Sequence, residues 1–200
     1  MDARQFVPGA EAIVLSEHVT YWDRQGWRDP FSLEEMTERQ QSYEYRFNLQ
    51  DSYTPQAVID GSAQMVGNNA PAVERAVAEA ATRPKADLQI EDARWENGAA
   101  VFSVKGATDA KARLVAVLAE DATHSEVKSG ENAGRTLHHV AVVRVMKELG
   151  AENADGRPLK LGGGPLDHKD EATGPVRLVV FEVDHKTGHV LAVAEQKLMR

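Results

Sequence analysis

From residue 88 onward the sequence is a series of short apolar runs separated by turn signals, and this pattern restricts the fold more than any other. Strands are predicted at residues 88–90, 99–104, 113–119, 136–145, 176–183 and 189–194. Residues 96–98 (ENG) and 186–188 (KTG) supply the turn chemistry that joins antiparallel neighbours. This spacing predicts a mainly antiparallel, β-sandwich-like domain over residues 86–200. Residues 151–175, rich in glycine, are expected to form a long mobile loop within it.

The first 82 residues show a different pattern, in which strands alternate with helices. Residues 12–16 (AIVLS) are a nearly unbroken apolar run, which favours a strand buried on both faces of a sheet. Ser32 and Glu35 match a capping box, and this motif predicts a helix that begins at Ser32. The pattern therefore predicts an α/β domain over residues 1–82, followed by a linker.

The remainder of that domain is predicted from its prolines. Pro55 cannot donate a ladder hydrogen bond, so it belongs at the start of a strand. Residues 64–66 (QMV) make a plausible hairpin partner for that strand. Pro71 then opens an amphipathic helix.

Composition excludes several functional classes. The chain has no cysteine, which rules out disulfides, zinc–thiolate sites, iron–sulfur clusters and cysteine nucleophiles. A net charge of −8 without a cluster of Lys and Arg argues against nucleic-acid binding. No run approaches the roughly 18 apolar residues that a membrane span needs. The N-terminus has no secretory pattern, so the sequence as it stands predicts a cytoplasmic protein.

Several short motifs occur in an order that resembles a known family. They are residues 18–23 (HVTYWD), 26–31 (GWRDPF), 39–40 (RQ), 53–56 (YTPQ), 60–61 (DG), 130–136 (GENAGRT) and 142–144 (VVR). The ordered series is similar to the signature of mostly exported bacterial proteins known as domain of unknown function 1223. The resemblance covers most of the chain and implies a thioredoxin-like N-terminal domain.

The resemblance also implies that the N-terminal domain is incomplete. Members of the family typically begin with a strand and a Cys-x-x-Cys-Pro-Pro helix upstream of the position equivalent to Ala12, and this sequence lacks both. Either the start is truncated, in which case the parent would be exported or periplasmic, or the loss is natural. A missing central strand would expose a sheet edge, and two copies could pair there as a homodimer.

The resemblance further implies a cis proline at Thr54-Pro55, where the residue before the proline offers backbone groups to an extended substrate. Polar and aromatic side chains at the carboxyl end of the first predicted strand stand where open α/β sheets place binding crevices. With Thr54 and Pro55 they make up the predicted groove, and they are Glu17, His18, Tyr21, Trp22 and Asp23. In one interpretation His18 moves protons for a nearby thiol. In the other, His18 and Asp23 satisfy hydrogen bonds in a buried aromatic corner.

A second glycine-rich segment contains Gly130, Glu131, Asn132, Gly134 and Arg135. A Walker phosphate loop needs four residues between its glycines and a lysine after the second, whereas this segment has three and an arginine. It is therefore predicted to be a structural loop in which Glu131 pairs with Arg135.

The sequence predicts no metal site and no cofactor. His138 and His139 would point to opposite faces of a strand, so they cannot easily share a metal ion. None of the common hydrolase, metalloprotease or dinucleotide motifs occurs.

Two functions remain open. The first is a remnant of a redox domain whose full-length parent would be a thiol-disulfide oxidoreductase or a redox sensor. The second is a non-enzymatic module of the cell envelope that binds a peptide or protein beside His18 and Pro55. Thiol exchange needs a thiolate, so the absence of cysteine favours binding for this chain.

Overall fold

Strands dominate the architecture. The computed structural model describes residue 5 and residues 7–106, 112–130, 132–162 and 175–200. Its helices and strands, in chain order, are α1 (Glu34–Phe47), β1 (Gln56–Ile59), β2 (Ala63–Val66), α2 (Ala70–Ala81), β3 (Leu88–Glu96), β4 (Ala99–Gly106), β5 (Ala112–Glu126), β6 (Thr136–Leu149), β7 (Leu159–Gly162), β8 (Val176–Asp184) and β9 (Val190–Leu198). Short 3₁₀ turns occupy Asp23–Gln25 and Ala151–Ala154. Within these residues, no helix is both long and apolar enough to cross a membrane.

The C-terminal strands form two antiparallel sheets, as the spacing of apolar runs predicts. One has the order β3-β4-β7 and the other β6-β5-β8-β9. Buried side chains of both sheets make one core cluster, which includes Phe102 of β4, Leu118 of β5 and Leu178 of β8. The predicted turns are present, since Glu96 pairs with Ala99 and the 186–188 turn joins β8 to β9.

The opposite face of the four-stranded sheet is covered by the N-terminal region. Side chains alternate along β5, so Val115 and Val117 point away from the first cluster. They form a second cluster with Met36 of α1, and Ile13 and Leu15 pack against it. The two predicted domains thus share a packed surface, and their division between residues 82 and 86 stays a prediction.

Helix α1 begins two residues later than the capping box predicts. Its N-cap residue is Leu33, and no side chain caps it. The hydroxyl of Ser32 instead donates to the carboxylate of Asp23 at 2.8 Å and to the carbonyl of Asp29 at 3.0 Å. These two contacts hold Ser32 in the turn that precedes α1, and its hydroxyl accepts no hydrogen bond from a helix N–H.

The predicted hairpin and second helix are both present. Strands β1 and β2 pair in register from Gln56 with Val66 to Ile59 with Ala63. Helix α2 has proline in its first turn, and the Asn69 side chain accepts a hydrogen bond from the N–H of Ala72.

Residues 12–16 do not form the predicted strand. Only Ser16 pairs, through a parallel bridge to Val142 of β6. Its N–H donates to the Ala141 carbonyl at 2.8 Å, and its carbonyl accepts from the Val143 N–H at 3.0 Å. A ladder needs a neighbouring strand, and none in the described part of the chain adjoins residues 12–15.

The predicted loop over residues 151–175 is partly wrong. Ala151–Ala154 form a 3₁₀ turn, and β7 adds to the edge of β4. Leu161 of β7 is 3% exposed and belongs to the core between the sheets, so apolar burial orders this stretch. Residues 163–174 lie outside the described residues.

Candidate functional site

A groove of about 880 Å³ runs between residues 9–19 and β1, and we call it the strand groove. Its lining includes apolar side chains from three further elements. Met36, Val179 and Phe181 come from α1 and the four-stranded sheet, and Val77 and Ala80 come from α2. The volume lies within the range of small-molecule sites, about 300 to 1,000 Å³.

Both sides of the strand groove present backbone groups without strand partners. Among the described residues, β1 pairs with β2 alone, so its other edge carries no ladder. Within the same residues, no backbone-to-backbone hydrogen bond involves Ile13, Val14 or Leu15. Such edges are templates for pairing with another strand.

A smaller cavity of about 370 Å³, which we call the side pocket, adjoins one end of the strand groove. The two share Glu17, His18, Val19 and Thr54. The indole of Trp22 donates to the Thr54 hydroxyl at 3.0 Å and so joins the two sides of the pocket. Its other lining residues include Trp27, Val127 and Leu137.

Two histidines connect the N-terminal region to the sheet next to the side pocket. His18 Nδ1 lies 2.6 Å from Asp29 Oδ2, and the His18 and His139 rings meet edge to face at 4.9 Å. His139 Nε2 lies 2.9 Å from the hydroxyl of Ser125, which is 4% exposed. A Ser-His-Asp triad requires a single histidine between the other two groups, so this arrangement is not one.

Burial and hydrogen bonds set the charges of this cluster. Burial by itself would raise the pKa of Asp29, but hydrogen bonds from His18 and from the Phe31 N–H outweigh it and lower that pKa. Burial lowers the pKa of His139, and the nearby His18 adds to the effect. The structure thus favours an ionised Asp29 and a neutral His139.

Two ion pairs join four of the charged side chains that line the strand groove. Arg39 Nε lies 3.1 Å from both carboxylate oxygens of Glu17, and its Nη2 donates to the Tyr43 hydroxyl at 2.7 Å. Burial raises the pKa of that hydroxyl, so it stays protonated. At the other end Lys85 Nζ lies 2.7 Å from Asp60 Oδ2. The lining is therefore close to neutral.

The structure brings six of the seven predicted groove residues together. Glu17, His18, Trp22, Asp23, Thr54 and Pro55 line the strand groove or the side pocket. Tyr21 lines neither, and its hydroxyl donates to the Gln40 side chain at 3.0 Å. Thr54 and Pro55 are exposed, and the bond between them is cis, as predicted.

The glycine-rich loop forms one wall of the side pocket. Gly134 N–H donates to the Val127 carbonyl at 2.8 Å, and Val127 N–H donates to the Arg135 carbonyl at 2.9 Å. Gly130 and Asn132 line the pocket, and the Ser129 hydroxyl donates to the Gly26 carbonyl. Glu131 lies outside the described residues, and with it the predicted pair with Arg135.

Sequence reasoning missed three of the contacting residues, namely Asp29, Ser125 and Ser129. Ser125 and His139 are distant in sequence and meet across the β5–β6 pair, which no local pattern reveals. Asp29 could have been found from the sequence, because an Asp side chain in a turn commonly accepts a hydrogen bond from the backbone N–H two residues later. Asp29 accepts such a bond from Phe31 at 2.9 Å. In the described part of the chain, no three His, Asp or Glu side chains are grouped to hold a metal.

Comparisons with known proteins agree with the resemblance found in the motifs. The chain is similar over 92% of its length to the crystal structure of protein AGR_C_4864 from Agrobacterium tumefaciens, with a TM-score of 0.61. That likeness, at 21% identity and over 79% of the other chain, concerns the fold. No curated protein matches. The profile of the family described as Protein of unknown function (DUF1223) matches residues 2–180, and the chain belongs to that family.

Proposed function

We propose that this protein is a non-enzymatic module that binds a peptide or protein segment in the strand groove. The observation that carries the proposal is the cavity of about 880 Å³ bordered on two sides by backbone without strand partners. Peptide recognition through such edges gains affinity from main-chain hydrogen bonds and specificity from side-chain pockets. The side pocket at the Thr54 end provides one such pocket for a residue beyond the segment in the groove.

The order of elements supports a thioredoxin-like origin for this region. Residues 10–16, α1, the β1–β2 hairpin and α2 follow one another around the strand groove. In a redox member a thiolate would carry the chemistry. This chain has no cysteine, so it keeps only the substrate-binding role of such a domain. We propose that it acts in the cell envelope.

The proposal can be tested by selecting peptides from a random displayed library on the immobilised chain. Val77→Trp would fill the strand groove from α2, whereas Val66→Trp places the same ring on a residue that is 46% exposed and does not line the groove. We expect selected peptides to bind the wild type and Val66→Trp equally and Val77→Trp at least about tenfold more weakly.

Circular dichroism of all three proteins shows whether the folds match. A library that yields no binder, or binders that do not distinguish Val77→Trp from Val66→Trp, would reject the groove as a peptide site.

A further inference from the structure

Strands β5 and β6 extend beyond the rest of their sheet. β8 pairs with β5 only as far as Glu120, whereas β6 pairs with β5 as far as Glu126. Within the described residues, 122–126 and 136–140 therefore pair only with each other, and we call them the β5–β6 arm. Two strands alone are marginally stable in water, so the arm depends on contacts made by its side chains.

One face of the arm is covered by the N-terminal region. The His139 ring meets the rings of His18 and Phe31, and its Nε2 lies 2.9 Å from the buried hydroxyl of Ser125. Leu137, on the same face, lines the side pocket. The order of the arm therefore affects the shape of the side pocket.

The other face of the arm is exposed and carries a pair of histidines. His124 and His138 stand directly opposite each other in the register, so their side chains leave the sheet on the same side. Both residues are exposed, and their ring centroids are 6.3 Å apart at an angle of 42°. His138 thus faces a histidine of the neighbouring strand, while its chain neighbour His139 lies on the covered face.

Two imidazole rings at this separation can bind one metal ion. Imidazole nitrogens bind Zn²⁺ at about 2.0 to 2.1 Å, so two rings on one tetrahedral ion have centroids about 5 Å apart. The rings of His124 and His138 must approach by about 1 Å to reach that distance. Exposed side chains change rotamer within nanoseconds, so this approach requires no movement of the strands.

The charges on the arm favour a cation. Residues 122–126 and 136–140 contain no Lys or Arg, and Glu126 is their one carboxylate. Glu126 is exposed and lies on the same face as His124, two residues further along β5. Imidazole ligands suit Zn²⁺, Cu²⁺ and Ni²⁺, whereas Mg²⁺ and Ca²⁺ prefer oxygen ligands. The chemistry of the pair therefore selects a transition metal.

We propose that His124 and His138 bind a divalent transition-metal ion of the Zn²⁺ and Cu²⁺ class, which joins the two strands of the β5–β6 arm. Water completes the coordination of the ion, since no third His, Asp or Glu of the described residues is grouped with the pair. The two rings face each other only when the strands are paired, so the ion stabilises the folded arm by mass action. Through Leu137 on the opposite face, the bound ion also fixes one wall of the side pocket.

A second pair of histidines lies on the covered face and serves as a control. The rings of His18 and His139 meet edge to face at 4.9 Å. Nδ1 of His18 lies 2.6 Å from Asp29, and Nε2 of His139 lies 2.9 Å from the Ser125 hydroxyl. An ion held by those two nitrogens would require both hydrogen bonds to break.

Calorimetric titration of the full chain with Zn²⁺, Cu²⁺ or Mg²⁺ tests the proposal. His124→Gln and His138→Gln each remove one ligand, His139→Gln removes the histidine of the covered face, and His185→Gln removes an exposed histidine of the β8–β9 turn. We expect the wild type and the last two variants to bind Zn²⁺ equally. His124→Gln and His138→Gln should each bind at least about tenfold more weakly, because losing even an outer-shell partner of a ligand has an effect of that size. Cu²⁺ should bind more tightly than Zn²⁺, and Mg²⁺ should not bind.

Hydrogen exchange shows whether the ion joins the strands. With Zn²⁺ bound, exchange of the amides in residues 122–126 and 136–140 should slow in the wild type. The same concentration of Zn²⁺ should leave the exchange of these amides unchanged in His124→Gln.

Several results would overturn the inference. If the wild type binds no Zn²⁺, or if either His124→Gln or His138→Gln binds it as tightly as the wild type, the pair is not a metal site. Loss of binding in His139→Gln or His185→Gln would place the ion elsewhere. Mg²⁺ binding as tight as that of Zn²⁺ would show that carboxylates hold the ion. Zn²⁺ binding that leaves exchange in the β5–β6 arm unchanged would show that the ion does not join its strands.

Discussion

The two regions of the molecule differ in how far their backbone pairing is complete. In the four-stranded sheet, β5 has a neighbour on each edge and apolar layers on both faces. In the N-terminal region, β1 has one neighbour among the described residues, and residues 10–16 pair only at Ser16. A two-stranded hairpin is marginally stable alone in water, so this region depends on what it packs against.

The two regions also differ in the interactions that stabilise them. The core between the sheets consists of apolar side chains with exposures near zero. The N-terminal region is attached through Met36 and through backbone hydrogen bonds, namely those of Ser16 with Ala141 and Val143 and that from the Val190 N–H to the Asp60 carbonyl. A hydrogen bond contributes about 0.5 to 1.5 kcal/mol net, so the attachment is weaker than the core.

Truncating one buried side chain in each apolar cluster should give the largest difference between the regions in the free energy of unfolding. Leu178 is fully buried between the sheets, and Leu178→Ala should lower the free energy of unfolding by about 2 to 5 kcal/mol. Met36 is 1% exposed but has half-buried neighbours that can relax. Met36→Ala should therefore cost about 2 kcal/mol. Chemical denaturation measures both changes.

Limited proteolysis of the same variants shows where each change acts. Met36→Ala should speed cleavage before residue 85 and leave the later residues resistant, whereas Leu178→Ala should speed cleavage throughout. Met199→Ala, at a residue that is 73% exposed, serves as the control and should change stability by less than about 0.5 kcal/mol. Equal sensitivity of both regions to Met36→Ala would show that they unfold as one unit.

The contact between the β1–β2 turn and the β8–β9 turn can be broken by one methyl group. Gly61 has a φ of +62°, and a Cβ there would overlap the carbonyl of Gly188. Gly134 has a φ of +81°, but a Cβ there would have no atom within 4 Å. Gly134→Ala should cost about 1 kcal/mol through backbone strain, and Gly61→Ala should cost more because the turns must also separate.

Thermal unfolding gives the stability lost in each variant. Gly134→Ala measures the cost of backbone strain alone, and the additional loss in Gly61→Ala measures the cost of the steric overlap with Gly188. If both variants lose the same stability, the contact between the two turns makes no contribution to the free energy of unfolding.

The sequence predicts elements whose signals are local. Asn97-Gly98 specifies a tight turn between β3 and β4, and Pro71 specifies the first turn of α2, and both are found. The apolar run of β5 predicts a strand. That its alternate side chains are buried in two different clusters becomes clear only when the neighbouring strands and the N-terminal region are placed. The missed features depend on distant partners: Leu161 is ordered by the core, Ser32 is diverted by Asp23, and His139 meets His18 across two regions.

The smallest expected effect is a pH dependence of the attachment between the two regions. His139 has a lowered pKa in the folded protein because burial disfavours its charged form. The unfolded chain, with a histidine pKa of about 6.5, therefore binds more protons than the folded one as pH falls below that value. The stabilisation is fully present above about pH 6.5 and is lost as pH falls through the folded-state pKa. Asp29, whose pKa is also lowered, adds a second loss below about pH 3.9.

Denaturation midpoints between pH 7.5 and 5 measure the first of these losses. His139→Gln removes the titrating group and keeps a polar side chain near Ser125, so its stability should depend less on pH in this window than that of the wild type. His185→Gln, at an exposed histidine in the turn between β8 and β9, should follow the wild-type curve. If His139→Gln and the wild type lose stability in parallel, burial of His139 does not couple the two regions, and their attachment rests on the apolar contacts of Met36, Ile13 and Leu15 and on the hydrogen bonds of Ser16 to β6.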